Sequence, residues 1–143
     1  MIFESKNFGT LNIEDKNIVL FVDGLIGFCE LKKFIILTPQ EDTPFRWLQS
    51  LDNPEIVFAI INPLLFFPDY KIKITKADID LIEAKTLEDI QIYAIVTIPD
   101  NFSKLTANLL GPIIINANKC KAKQIVVDNS SYSTKHLLLS DCR

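Results

Sequence analysis

Residues Phe45 to Tyr70 read FRWLQSLDNPEIVFAIINPLLFFPDY. This stretch gathers the chain's single Trp, four Phe and a Tyr around two strand-like runs. Turn signals at Asp52-Asn53-Pro54 and Asn62-Pro63 cut it into pieces. Phe45 to Ser50 alternates imperfectly, and Ile56 to Ile61 is a continuous apolar run, as expected of a strand covered on both faces. A strand has period two, so part of the stretch must point inward. Leu48, Val57, Ala59, Ile61 and one of Phe66 or Phe67 are the expected core. The remaining apolar side chains either complete that core or form an adhesive surface, and the sequence leaves both readings open.

Working outward, short β-rich segments recur between turn signals. Ile18 to Val22, Phe34 to Thr38, Ile90 to Ile98, Ile113 to Ile115 and Gln124 to Val127 read as strands. Tyr70 to Thr75 alternates cleanly, with Tyr70, Ile72 and Ile74 on one side and Lys71, Lys73 and Thr75 on the other. One helix is expected over Lys76 to Lys85, capped by Thr75, with Asp78 in its first turn where the helix dipole favours an acid. Glu30 to Lys33 and Ser103 to Leu110 read as further short turns of helix. The expected fold class is mainly β: a small, compact, barrel-like single domain over residues 1–143 with one or two short helices. The tail from about residue 129 is expected either to be loose or to dock a last strand.

Composition narrows the function classes. The chain has 143 residues, 48% hydrophobic and 23% charged, which suits one globular core. No apolar run approaches the ~20 residues a bilayer span needs. The N-terminal MIFESKNFGT lacks a basic region followed by an apolar block, so a secretory signal is not expected. Cys29, Cys120 and Cys142 form no CxxC pair and read as reduced thiols, which fits a cytoplasmic protein; Cys29 and Cys120 could fill core space. Net charge is −3; residues 101–143 carry six basic and two acidic side chains, leaving −7 on the first hundred. Such a balance disfavours direct nucleic-acid binding and suits a basic protein partner, with ordinary solubilising charge as the plain alternative.

Chemistry-bearing motifs are scarce. His136 is the only histidine and lies near the C-terminus, where a surface role is expected. No metal site is expected from such a His and Cys supply. Gly24 to Gly27, GLIG, is too short to cradle a phosphate and reads as a tight turn. Asp80 and Glu83 stand at i and i+3 on the expected helix, where a solvated face is the ordinary explanation. NLLGPIIIN, Asn108 to Asn116, has a rigidifying Pro112 before a strand. It brings a small-ligand or flavin-binding split barrel into view as the alternative function, although no cation for a flavin phosphate appears before Lys119. An RNA-binding barrel is a third reading, disfavoured by the acidic balance. No catalytic set and no cofactor are expected.

Taken together, GLIGF (Gly24 to Phe28), PFRWLQSLDNPEIVFAIINPLLFFPDY (Pro44 to Tyr70), IVTIP (Ile95 to Pro99) and TANLLGPIIIN (Thr106 to Asn116) resemble the FliW flagellar assembly factor family in order and spacing. The resemblance covers roughly residues 1 to 138. The chain departs from the family pattern at Ile26, where a proline is expected, and at Cys29, where a glutamate is. The resemblance implies a non-enzymatic, mostly β protein with two protein partners. One is flagellin held in the cytoplasm before export. The other is the RNA-binding translational regulator CsrA, whose repression of flagellin messenger the protein would relieve. A monomer with no membrane and no direct nucleic-acid contact is expected. Aromatic anchors beside polar edges resemble an interface in composition. Phe45, Trp47, Gln49, Leu64, Phe67 and Tyr70 are therefore the candidate flagellin-facing surface. Asp69, Asp78, Asp80 and Glu83 are the candidate acidic contacts to CsrA.

Overall fold

The computed structural model describes residues 1–38, 43–98, 100, 104–128 and 131–138. Strands β1 (Ile2–Ser5) and β2 (Gly9–Asn12) form a separate antiparallel hairpin. The remaining strands are β3 (Val19–Phe21), β4 (Lys33–Leu37), β5 (Arg46–Ser50), β6 (Val57–Ile61), β7 (Ile90–Thr97), β8 (Thr106–Ala107), β9 (Ile113–Asn116), β10 (Lys121–Gln124) and β11 (His136–Leu137). Seven of them close on themselves among the described residues. The order is β7-β6-β5-β4-β3-β10-β9, with β9 returning to β7. All these pairings are antiparallel except β3 with β10.

Closure depends on the length of β7. Its first half, Ile90 to Tyr93, pairs with β9, while Ala94 to Val96 pairs with β6. Its last residues hold β8, and β8 holds β11. The barrel thus carries a short flap of two strands at one corner.

Strand alternation then sorts the side chains into separate cores. The barrel interior contains Val19, Phe21, Phe34, Leu48, Ile60, Ile113, Ile115 and Ala122, joined by half-buried Tyr93 and Ile95, so each closing strand contributes. Phe21 and Phe34 meet edge-on with centroids 4.9 Å apart. Full burial of each such side chain is worth about 1.5–3 kcal/mol. A second cluster lies outside the barrel wall over β6, β7 and β8, and contains Ala59, Ile61, Ala94, Val96 and Ala107. A third, with Ile82, Ile114 and Ile125, is covered by helix α1 (Lys76–Leu81). The wall is therefore buried on both faces along β6, as its unbroken apolar run requires.

Five expectations change. Glu30 to Lys33 is not helical: Lys33 already opens β4. Tyr70 to Thr75 alternates in burial as predicted, but pairs in no ladder; it is a strap lying over the outside of the barrel. Helix α1 stops at Leu81, and the chain turns through Glu83 at φ 58 instead of continuing to Lys85. In the last β-rich run the ladder falls on Lys121–Gln124, not on Gln124 to Val127, because Ala122 is the residue small enough to face the interior. Within the expected Ser103 to Leu110 turn, Thr106 and Ala107 are strand; Ser103 lies outside the described residues. Of the tail, residues 131–138 dock: β11 pairs with β8, Leu138 is buried, and Leu109 N donates to Ser133 O at 3.0 Å.

Candidate functional site

The wall of β5 and β6 decides which part of the aromatic stretch can meet a partner. Leu48, Phe58 and Ile60 turn into the barrel. Trp47, Ala59 and Ile61 turn outward, beside Ala94 and Ala107. Three alanines on neighbouring strands leave a shallow shelf, and large rings fill it. Phe45, Trp47, Phe66 and Phe67 pack on this shelf and stay half-buried. Phe8 of the hairpin approaches Trp47 with a centroid distance of 6.1 Å. The sequence reading put one of Phe66 and Phe67 in the core; both take this intermediate position.

The turn after β6 carries further apolar surface just ahead of Phe66 and Phe67, beside the start of β7. Asn62 Oδ1 accepts from Leu64 N at 3.0 Å, and Pro63 opens a 3-10 turn over Pro63–Leu65. Proline suits that first position because its missing N–H would be unpaired there anyway. Phe67 N then donates to Pro63 O at 2.8 Å and Tyr70 N to Phe67 O at 2.9 Å. This winding pushes Leu64 and Leu65 into solvent, 41% and 66% exposed. Leu65 is the most exposed apolar side chain of the stretch, and the sequence reading omitted it. The Asn-Pro cap was the available signal.

Two candidates are supports, not surface. Gln49 is fully buried. Its Oε1 accepts from Ser5 Oγ at 2.8 Å, and its Nε2 donates to the carbonyls of Ser50, Pro54 and Ile56 at 2.8, 3.3 and 3.2 Å. It ties the β1–β2 hairpin to the β5–β6 turn, and a buried amide with its bonds made has nothing left for a partner. Tyr70 is buried too: its hydroxyl donates to Leu109 O at 2.6 Å and its ring meets Tyr132 edge-on at 4.8 Å. Burial first, and Tyr132 second, raise the Tyr70 phenol above the ordinary tyrosine range.

The acidic candidates also separate. Asp78 is buried in the first turn of α1, where it and Thr75 complete a capping box. Lys123 Nζ donates to its Oδ1 at 2.8 Å. Burial alone would raise this carboxyl, but the hydrogen bonds from Lys123 and Thr75, together with the Lys123 charge, outweigh it and hold the group below its ordinary value. Asp78 is therefore a clamp between α1 and β10, not a surface acid. Glu83 is exposed and paired with Lys121, which lowers its carboxyl. Asp69 and Asp80 are exposed. Asp69 lies beside Phe66, Phe67 and Tyr132, whereas Asp80 and Glu83 belong to α1 and the turn that follows it.

The other motifs serve the fold. Gly24 and Gly27 take positive φ in the turn predicted for GLIG, and a Cβ on Gly24 would stand 2.5 Å from Cys29 O. In NLLGPIIIN, Asn108 Oδ1 accepts from Gly111 N at 2.9 Å, Asn116 Nδ2 donates to Ile82 O at 3.1 Å, and Ile113 to Ile115 are buried, so the phrase presents no open ligand wall. Cys29 is exposed and Cys120 half-buried, so neither fills the core. Cys142 and the His136 side chain lie outside the described residues. Among the described residues no group of three His, Cys, Asp or Glu could hold a metal, and no helix is long and apolar enough to cross a membrane.

Comparison with known proteins gives one consistent result. A family model described as FliW protein matches residues 2–138. The flagellar assembly factor FliW of Thermoanaerobacter pseudethanolicus is 44% identical over 147 residues, covering 100% of this chain and 96% of the relative. The flagellar assembly factor FliW of Bacillus subtilis is 40% identical over 136 residues, covering 95% of each. A crystal structure of the flagellar assembly factor FliW superposes with a TM-score of 0.91 at 36% identity over 100% of both chains.

Proposed function

This chain belongs to the FliW family, and on that premise we propose that it is a flagellar assembly factor working by protein–protein binding in the cytoplasm. Its partners are flagellin before export and the translational regulator CsrA, whose repression of flagellin messenger it antagonises. Flagellin, by capturing the protein, sets CsrA free again.

One observation supports this reading above the others: the half-open aromatic shelf of Phe45, Trp47, Phe66 and Phe67, extended by exposed Leu64 and Leu65. Rings that are part packed and part exposed are held rigid before binding, so little side-chain entropy is lost on contact. An amphipathic helix of flagellin laid on the shelf would cover Phe45, Trp47, Leu64 and Phe67. Gln49 and Tyr70 act from beneath, by holding β5 and the 63–70 turn in place. CsrA, as a basic RNA-binding protein, is assigned to the exposed acids Asp69, Asp80 and Glu83, with Asp78 fixing the helix that carries Asp80. Such contacts act mainly on association rate and salt dependence.

Trp47 is the only tryptophan, so its emission reports on the shelf directly. Titrating purified flagellin should shift that emission, and Phe67→Ala should weaken binding about tenfold or more, as loss of an interface anchor does. Asp80→Lys should slow CsrA association and flatten its salt dependence while leaving flagellin binding intact. A pull-down recovering neither flagellin nor CsrA would overturn the reading.

A further inference from the structure

The strap from Tyr70 to Thr75 has the alternation of a strand without a neighbour. Tyr70 is buried, Ile72 and Ile74 are half-buried, and Lys71, Lys73 and Thr75 are exposed. An extended chain sends the backbone groups of successive residues to opposite edges. Lys71 N donates to Tyr132 Oη at 3.0 Å and Thr75 N to Asp78 Oδ2 at 3.2 Å, so the odd-numbered edge is held at both ends by the fold. The other edge belongs to Ile72 and Ile74. Among the described residues their N–H and C=O groups have no protein partner. An unpaired strand edge is a template for another strand.

The ground beside that edge fits such a strand. A groove of about 340 Å³ runs along the strap, floored by Ile90 and Ile92 of β7 and walled by Leu64 and Leu87. Leu87 is 61% exposed and sits in a single 3-10 turn, a position that solvation alone does not favour. Lys71 is the one charged residue lining the groove, and it forms no ion pair among the described residues. The opposite cleft, about 570 Å³, has Ile72, Val126 and Val127 in its lining but also Lys71, Lys73 and Asp128, three charged residues against the groove's one.

We propose that the free edge at Ile72 and Ile74 is a strand-addition site for an extended peptide segment of a partner. That segment has apolar residues at alternate positions, which enter the groove between Leu64 and Leu87, and an acidic residue that meets Lys71. The site shares Leu64 with the rim of the aromatic shelf but lies beyond Phe45, Trp47, Phe66 and Phe67, and it recognises main chain first and side chains second. It does not depend on flagellin or CsrA being the partners.

The probe is a synthetic peptide of about seven residues alternating valine and threonine with one terminal aspartate, compared with the same peptide N-methylated at the alternate amides that would face the strap. Amide hydrogen exchange on the full chain reads the result. Binding should slow exchange at Ile72 and Ile74 at least tenfold, with no change at Lys73. Ile74→Pro keeps an extended backbone but deletes a donor on the free edge, and should abolish binding; Lys73→Pro deletes one on the opposite edge and should not. Because Ile74→Pro also removes packing, Leu87→Asp provides a second loss-of-binding variant that leaves the strap untouched. Three results would overturn the proposal. They are no protection at Ile72 and Ile74 up to millimolar peptide, equal binding of the N-methylated peptide, or helical peptide in the bound state.

Discussion

The two faces of β5 and β6 have the same backbone and opposite duties. Inward, Leu48 and Ile60 are completely enclosed among side chains from all seven closing strands. Outward, Trp47 shares a shelf of alanines with Phe45, Phe66 and Phe67, and every one of these rings is still partly wet. One face is closed by topology and the other by whatever segment lies on it. Interior apolar residues have no surface left to offer, while exterior ones pack on the fold and keep part of their surface open.

The sharpest way to break this division is Phe34→Ala. Phe34 is fully buried and touches Phe21 and Phe58 rings. The truncation should cost about 3–5 kcal/mol in urea unfolding, a large part of a small domain's stability. A loss under ~1 kcal/mol would mean the interior is loosely packed and the contrast false. Next in size is Asp78→Ala, which removes the reciprocal half of the α1 capping box, the bond from Thr75 N, and leaves Lys123 with only Asp23 at 4.0 Å among the described residues; about 2 kcal/mol should be lost. This term also has a pH signature. The Asp78 carboxyl is held below its ordinary 3.8, so its contribution is complete above that value and disappears as pH falls through the lower, folded value. The wild-type protein should lose more stability on acidification than the alanine variant, whose acid-side curve should be flatter.

What the sequence revealed and what it hid follow the same division. β6 was legible because burial on both faces writes an unbroken apolar run, and β7 because β-branched residues are concentrated along it. Period two told that the Phe45 to Tyr70 stretch has two faces but not which residues take each: Ala59 and Ile61, expected inward with Leu48, are buried on the outer face, and Phe58 and Ile60 take the interior. The β1–β2 hairpin was hidden because its strands are short and mostly exposed, and its attachment rests on a few contacts to distant residues, Ser5 with Gln49 and Phe8 with Trp47. The lysine-rich β10 was hidden because only Ala122 faces inward. Gln49 and Asp78 were placed on the surface because residue type suggests exposure, and a buried amide or carboxylate becomes visible only when its partners are known. Those partners, Ser5 and Lys123, are 44 and 45 residues away in the chain. Tyr70 to Thr75 displayed its faces correctly and its pairing not at all, since alternation records burial and not hydrogen bonding.

Tyr70→Phe tests the boundary between the faces. It keeps the ring against Tyr132 and removes the hydroxyl bonded to the Leu109 carbonyl. About 1 kcal/mol should be lost, chiefly by leaving that carbonyl unpaired. Above pH 10 the variant should gain on the wild type. A phenol whose folded value is raised stabilises the fold fully below its unfolded value near 10, and that contribution disappears as pH climbs toward the folded one. Absorbance at alkaline pH should show one of the three tyrosines ionising only with unfolding.

The smallest stability effect should come from Leu64→Ser, and it discriminates best between the two faces. Leu64 is 41% exposed, and its turn is held by the Asn62 cap and Pro63, not by its own side chain. Unfolding free energy should change by no more than ~0.5 kcal/mol. Flagellin affinity should nevertheless fall about tenfold, because an apolar side chain held out of the core contributes its burial only when a partner covers it. A fall in stability as large as the fall in binding energy would place Leu64 in the fold's own packing. The shelf would then end at the rings of Phe66 and Phe67.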